Sequence, residues 1–146
     1  MKFVSCLLFA GLALAATLVV AQSPKPTGLA QQLRASRWQK RVLLLGAPTA
    51  GQADFQQQKK LLAAVPDQLR ERDFLVLEVP YDQLSAADRQ YWTQELKQSL
   101  TRFAVVLIGK DGGVKRTETQ ALAPADLFGT VDKMPMRRQE AKGVKK

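Results

Sequence analysis

The fold is decided by residues 41–55, which read Arg41-Val42-Leu43-Leu44-Leu45-Gly46-Ala47-Pro48-Thr49-Ala50-Gly51-Gln52-Ala53-Asp54-Phe55. Residues 42–45 form a continuous apolar run, which is typical of a strand covered on both faces. Small residues and one proline follow and predict a sharp turn. From position 52 the pattern becomes helical. A strand, a tight loop and a helix form the unit that opens many α/β folds.

The rest of the chain continues this alternation. A helix over 52–64 links the first strand to the second, so these strands should run parallel with a right-handed crossover. The sequence of residues 110–113, Lys-Asp-Gly-Gly, favours an antiparallel hairpin because Asp-Gly and Gly-Gly suit positive φ angles. The other predicted elements are strands over 74–79, 103–108 and 114–119 and helices that start at Ser85 and Pro124. This β-α-β-α-β-β-α order predicts an α/β, thioredoxin-like fold, with a four-stranded mixed sheet and helices on both faces.

Residues 1–21 are predicted to be an export signal. Lys2 precedes an apolar run that lasts to Ala21 and ends in the small residues that a signal peptidase reads. The alternative is an uncleaved anchor, because the run approaches the roughly 20 residues that span a bilayer. We therefore predict a periplasmic or secreted protein without a stable membrane span after cleavage, or else an N-terminally anchored one.

Composition limits the number of domains, the charge of the partners and the thiol chemistry that this chain can have. The 146 residues suffice for one domain with its own core. Their formal net charge of +9 favours anionic partners. The chain has no His, and its only Cys is Cys6, inside the predicted signal. After cleavage, the chain would therefore form neither a disulfide nor a thiolate.

Three segments follow the predicted signal. Residues 22–37 are predicted to be a linker with a short helix, and 38–133 the thioredoxin-like domain. Residues 134–146 are predicted to be a basic tail with little to bury. Trp38 stands just before the first strand, where an aromatic side chain most often covers the end of a core.

The most specific motif is Met134-Pro135-Met136-Arg137-Arg138-Gln139-Glu140. Together with the runs 106–115 and 126–128, it resembles the domain-of-unknown-function family four-one-seven-four. Members of that family include small exported bacterial proteins and domains of vertebrate sushi-repeat extracellular proteins, and the group is described as thioredoxin- or peroxiredoxin-like. The resemblance covers roughly residues 38–140 and implies one domain of that fold.

The chain departs from the thioredoxin pattern in the loop after the first strand, where a thioredoxin has its redox cysteines. In place of Cys-x-x-Cys it has Ala50-Gly51-Gln52-Ala53, so Ala50 and Ala53 occupy the redox positions of the loop. Ala104 stands near the position of the cis-proline. Thioredoxin chemistry needs at least one thiolate. The resemblance therefore implies the fold and not the oxidoreductase activity.

Four residues are candidates for contact with a partner. Thr49 lies in the loop before the helix predicted over 52–64, and Gln52 is the first residue of that helix, where backbone N–H groups attract anions. The structural alternative is that Thr49 caps the helix. Arg137 and Arg138 form a pair suited to carboxylate or phosphate recognition. Their structural alternative is a helix-end cation or a bridge back to the domain.

No catalytic residue, cofactor or metal site is predicted, since the acids show no ligand spacing and His is absent. Nucleic acid is not predicted as a partner, because an exported chain seldom meets it. The leading hypothesis is a non-catalytic binding or interaction module with a protein or anionic envelope partner. The alternatives are a redox-associated enzyme or helper of a cysteine-bearing partner, and a passive envelope-anchored structural protein.

Overall fold

A computed structural model describes residues 28–143 of the chain. The predicted signal and the first part of the predicted linker lie outside these residues. Six helices and four strands follow one another within the described part: α1 Leu29–Ser36, β1 Arg41–Ala47, α2 Ala53–Ala63, α3 Pro66–Glu71, β2 Phe74–Pro80, α4 Ala86–Gln90, β3 Ala104–Ile108, β4 Val114–Glu118, α5 Pro124–Asp132 and α6 Pro135–Gly143. None of the helices between residues 28 and 143 has the length and apolar character needed to cross a membrane.

The strands form one mixed sheet in the order β2-β1-β3-β4. β1 pairs parallel with β2 and antiparallel with β3, and β3 pairs antiparallel with β4. The predicted α/β class, four-stranded mixed sheet and order of strands and helices are therefore confirmed. β1 is central and buried at every position, as its apolar run predicts.

Alternate residues of β1 and β3 supply two cores on opposite faces of the sheet. Leu43, Leu45 and Leu107 face α2 and α5, where Phe55 and Phe128 pack against them. The opposite core combines side chains from α1, the turn after β2 and the segment after α4 with the other face of the strands: Leu29, Leu33, Val42, Leu44, Tyr81, Trp92, Val106 and Ile108. Each fully buried aliphatic or aromatic side chain stabilises the fold by about 1.5–3 kcal/mol.

The helix predicted from Ser85, whose apolar spacing extends to Leu100, has the predicted start and a different end. The hydroxyl of Ser85 accepts a hydrogen bond from the Asp88 N–H at 3.1 Å and so caps α4. After α4 the chain widens into one π-helical turn, Tyr91–Glu95, and does not continue as a helix to residue 100. Trp92 on this turn is fully buried, and its Nε1–H donates to the Ser99 carbonyl at 3.0 Å.

Gly46 of β1 makes room for Trp92. A Cβ at Gly46 would lie 2.4 Å from the Trp92 ring and 2.5 Å from the Tyr81 hydroxyl oxygen. The rings of Tyr81 and Trp92 are themselves 5.3 Å apart. The glycine in the fold-deciding stretch thus has a packing role, in addition to preceding the turn.

Two predictions at the boundaries are wrong. Trp38 does not cover a core; its side chain is 62 % exposed and its φ is +66°. The segment predicted as a tail forms α6, and Arg137 within it is only 8 % exposed. The sequence misleads here because α6 docks through charged side chains, whereas apolar periodicity signals only apolar docking.

Candidate functional site

The two ends of the sheet hold the candidate residues. The loop end is where β1 and β2 finish, followed by residues 48–52. The hairpin end is where β1 and β2 begin and where β3 runs into the turn 109–113. Parallel β1 and β2 place these ends on opposite sides of the domain.

Gln52 is the N-cap of α2. Its Oε1 accepts a hydrogen bond from the Phe55 N–H at 3.0 Å, and its amide nitrogen donates to Asp54 at 3.0 Å. Thr49 is exposed, and its carbonyl accepts from the Gln52 N–H at 3.2 Å. The prediction that Thr49 caps the helix is therefore wrong, because the longer Gln52 side chain reaches the free N–H groups of the first turn.

The two positions that the thioredoxin-like resemblance predicts to be degenerate redox positions lie in this turn and directly after it. Ala50 is half-buried against the core, and its carbonyl accepts from the Gln56 amide at 2.6 Å. Ala53 is the exposed first residue of α2. Ala104 is the first residue of β3, opposite Gly46. Polar groups of the turn thus form hydrogen bonds within the turn and to the first turn of α2. Neither Ala50 nor Ala53 has a reactive side-chain atom.

The hairpin end, in contrast, contains a buried arginine. Arg41, the first residue of β1, is only 1 % exposed. Its guanidinium contacts the Glu140 carboxylate of α6 at 3.2 and 3.3 Å and donates to the Arg72 carbonyl at 2.8 Å. Since a buried charge needs a partner, this contact joins the start of the domain to α6.

Lys110 extends the contact to the hairpin. Its ammonium donates to Glu140 at 2.7 Å and to Asp73 at 2.8 Å. Burial acts to lower the pKa of Lys110, but the bonds to Asp73 and Glu140 outweigh it and raise that pKa. The same Lys110 bond lowers the pKa of the Asp73 carboxyl.

A second cluster pairs α6 with α3 and α5. Arg72 donates to both oxygens of Asp132 at 2.9 and 2.8 Å, and this contact lowers the pKa of Asp132. Arg137 contacts Asp132 at 3.3 Å and donates to both the carbonyl and the carboxylate of Glu71. Arg137 therefore bridges back to the domain, which was the structural alternative.

Arg138 lies beside this bridge with a different environment. It is exposed and, among residues 28–143, forms no ion pair. It borders an open hollow of about 470 Å³ together with Asp132, Arg137, Ala141 and Lys142. The two candidate arginines therefore differ: Arg137 is a buried bridge, and Arg138 is an exposed cation without an ion pair among residues 28–143.

The turn 109–113 is flanked by two more hollows. One, of about 260 Å³, lies between the turn and residues 134–136 at the start of α6. The other, of about 450 Å³, lies between the turn and α1, beside Arg34 and Arg37. Gly112 in this turn has φ +84°, which suits a glycine.

The α1–β1 connection is fastened to the turn. The Arg37 Nε–H donates to the Asp111 carbonyl at 2.9 Å, and the Trp38 N–H donates to the Lys110 carbonyl at 2.6 Å. The Arg37 guanidinium also lies 5.4 Å from the centre of the Trp38 ring. An exposed aromatic side chain and a cation therefore stand together at the hairpin end.

No group of His, Cys, Asp or Glu suited to a metal ion occurs in the described part of the chain. Its carboxylates at the hairpin end face cations, so they are already neutralised. Sequence reasoning missed Arg41, Lys110 and Glu140 as one unit. The only signal was a charged residue at the edge of a buried strand, and its partner lies 99 residues away.

A family model described as a domain of unknown function (DUF4174) matches residues 32–140. The match spans most of the chain and includes Arg34 of α1, Arg37 directly after it and Glu140 of α6. Neither a curated protein nor a solved structure matches the chain.

Proposed function

The chain belongs to the DUF4174 family, and on that premise we propose that it is an exported, non-catalytic binding module with a thioredoxin-like fold. The sheet order β2-β1-β3-β4, with a helix between parallel β1 and β2, supports the thioredoxin-like part. The final hairpin and the helix after it agree with the same core arrangement.

The main support for a non-catalytic role is the loop after β1, which has no thiol side chain. Its polar groups cap α2 or bond the turn, through Gln52 and Gln56. Ala50 and Ala53 stand where a thioredoxin has its thiols. Disulfide exchange and peroxide reduction by thiols both begin with a thiolate, which residues 28–143 do not contain.

What supports binding is the unbalanced surface charge. The chain carries 22 Lys and Arg against 13 Asp and Glu. Several cations, Arg138 among them, form no ion pair within residues 28–143. Such a surface attracts anionic partners over a Debye length of about 8 Å at physiological salt. The partner is a protein or an anionic component of the envelope.

Turnover assays test the non-catalytic part. The purified protein should reduce neither insulin disulfides nor hydrogen peroxide above the rate of a heat-denatured sample, with a thioredoxin as positive control. Turnover in either assay would overturn the proposal, whether or not a thiol-blocking reagent abolishes it.

Intact mass tests the exported part. The apolar run after Lys2 and the small residues before Gln22 predict a periplasmic form that starts near Gln22. A membrane-bound form that keeps residues 1–21 would replace export with the anchored alternative. A cytoplasmic protein of full mass would remove both.

A further inference from the structure

The exposed large apolar side chains of the described residues surround one turn. They are Trp38 at 62 %, Val114 at 45 % and Met136 at 36 % exposure. Trp38 is bonded through its N–H to the turn, Val114 directly follows the turn, and Met136 lines the hollow beside it. The turn is therefore bordered by exposed apolar side chains.

Cations surround the same turn. Six of them, against three carboxylates, leave a local excess of three positive charges: Arg34, Arg37, Lys40, Arg41, Lys110 and Lys115 against Asp73, Asp111 and Glu140. The adjacent cluster of Arg72, Arg137, Glu71 and Asp132 is balanced. Arg34 is exposed and has no ion pair among residues 28–143, so its charge is free for a partner.

We propose that the hairpin end docks this protein on an anionic phospholipid surface, with Trp38 as the interfacial anchor and Arg34 and Arg37 as headgroup contacts. The inference rests on the proposed function and names the partner of that module. Tryptophan is enriched at membrane–water interfaces because its ring is apolar and its N–H is polar. Each nearby Lys or Arg strengthens attraction to an anionic leaflet about fivefold.

The shape of the surface favours a bilayer over an acidic protein. Between two proteins, an aromatic hot spot fills an enclosed, desolvated pocket, which a protein partner would have to supply. Here the aromatic ring stands out from the domain, and the hollows beside the turn are open to solvent. A fluid headgroup layer accepts such a projecting ring without a matching pocket.

Binding to lipid vesicles tests the proposal, and the fluorescence of Trp38 reports it. The probe is a vesicle of phosphatidylcholine and phosphatidylglycerol, seven to three, with pure phosphatidylcholine as the neutral control. The chain has two tryptophans, and Trp92 is fully buried, so a blue shift of emission on binding reports Trp38. We expect co-sedimentation and a blue shift with the anionic vesicles only.

Three variants separate a specific surface from general charge. Trp38→Ala should remove the blue shift and weaken binding at least tenfold. Arg34→Glu should weaken it by about twenty-five-fold, since it changes two charges at about fivefold each. Arg102→Glu changes the same net charge on an exposed residue next to the start of β3, at the loop end, and should weaken binding less than threefold. All variants keep the same N-terminal residues, so differences between them report the folded domain.

Two results would overturn the proposal. One is the absence of binding to anionic vesicles, and the other is equal weakening by Arg34→Glu and Arg102→Glu. If vesicles fail while a photo-crosslinker placed at Trp38 captures one envelope protein saturably, the partner is a protein and the binding module stands. Catalytic turnover in the insulin or peroxide assay would instead remove the proposed function itself.

Discussion

The two ends of the sheet are stabilised by different forces. At the loop end, Gly46 of β1 packs closely against the buried rings of Trp92 and Tyr81, and the side-chain amide of Gln52 caps α2. At the hairpin end, buried Arg41 and Lys110 hold Glu140 of α6. Apolar packing has no charge to titrate or to screen, whereas ion pairs depend on pH and ionic strength. The loop end should therefore behave as the fixed part of the domain and the hairpin end as the conditional part.

Arg41→Ala should have the largest effect on stability. It leaves the Arg72 carbonyl and part of the Glu140 carboxylate without their partner in a desolvated place. Removing one member of a buried ion pair costs about 3–5 kcal/mol. The urea midpoint of unfolding should fall accordingly, with an unchanged slope if only stability changes.

The matched control for Arg41→Ala is Lys60→Ala, which also removes one cation but from an exposed position on α2. It should change stability by less than about 0.5 kcal/mol. Equal losses in the two variants would show that net charge, and not the buried contact, stabilises the hairpin end.

The adjacent arginines of α6 sharpen the comparison within one helix. Arg137→Ala removes contacts to Asp132 and Glu71 and should cost about 2 kcal/mol, as expected for hydrogen bonds between charged groups. Arg138→Ala removes an exposed side chain and should cost less than about 0.5 kcal/mol. Melting temperatures of both variants give the measurement. Should Arg138→Ala prove the more destabilising, α6 would dock through its other face.

Gly46→Ala tests the packing at the loop end. The added Cβ would overlap the Trp92 ring, so the ring or the strand must shift, at a cost of about 1–3 kcal/mol. Because no charge is involved, the loss should be the same at 0.1 and 1 M salt, whereas the loss from Asp132→Asn, whose carboxylate is about two-fifths exposed, should shrink as salt screens its ion pairs. Gly129→Ala is the control, since a Cβ at Gly129 meets nothing within 4 Å. A salt-dependent loss for Gly46→Ala would contradict the division between the two ends.

Much of the fold was predictable because its signals are local. A continuous apolar run gave β1, Asp-Gly-Gly gave the hairpin, and Ser85 gave the start of α4. These depend on neighbouring residues, so sequence patterns contain them. The strand order then follows from the helix between β1 and β2 and from the hairpin.

The candidate sites were less predictable because their contacts are long-range. The Arg137-Arg138 pair predicts a site for a partner, yet Arg137 contacts Glu71 and Asp132, and only the folded chain brings Glu71 close. The position of Trp38 before β1 predicts that it covers a core, yet its backbone is left-handed and its side chain is exposed. Neither a 66-residue separation nor a positive φ at a tryptophan has a sequence signal.

Gln52→Ala should cost about 1 kcal/mol, the usual value of an N-cap. The variant loses the bond to the Phe55 N–H, while Thr49, which is exposed and not in contact with that N–H, should not replace it. Thr49→Ala is therefore the matched control and should be nearly neutral. Chemical denaturation measures both. A larger loss from Thr49→Ala would restore Thr49 as the cap.

Acid should weaken the hairpin end by the smallest amount among these effects. The bond from Arg72 holds the pKa of Asp132 below its usual value, and the bond from Lys110 does the same for Asp73. A carboxyl with a lowered folded pKa stabilises fully above its ordinary pKa, near 4, and loses that stabilisation as pH falls through the folded value. Both carboxylates are about two-fifths exposed, so water screens part of each contact.

Asp132→Asn isolates this dependence. At pH 7 the variant should be less stable than the parent, because the amide cannot pair with the charges of Arg72 and Arg137. As the pH falls through the lowered pKa of Asp132, the two unfolding curves should converge, since the protonated carboxyl and the amide are both neutral. Asp67→Asn, on the open surface of α3 beside Arg70, should follow the parent at every pH. A gap between Asp132→Asn and the parent that stays constant from pH 7 to pH 2 would mean that shape, and not charge, makes this contact stabilising.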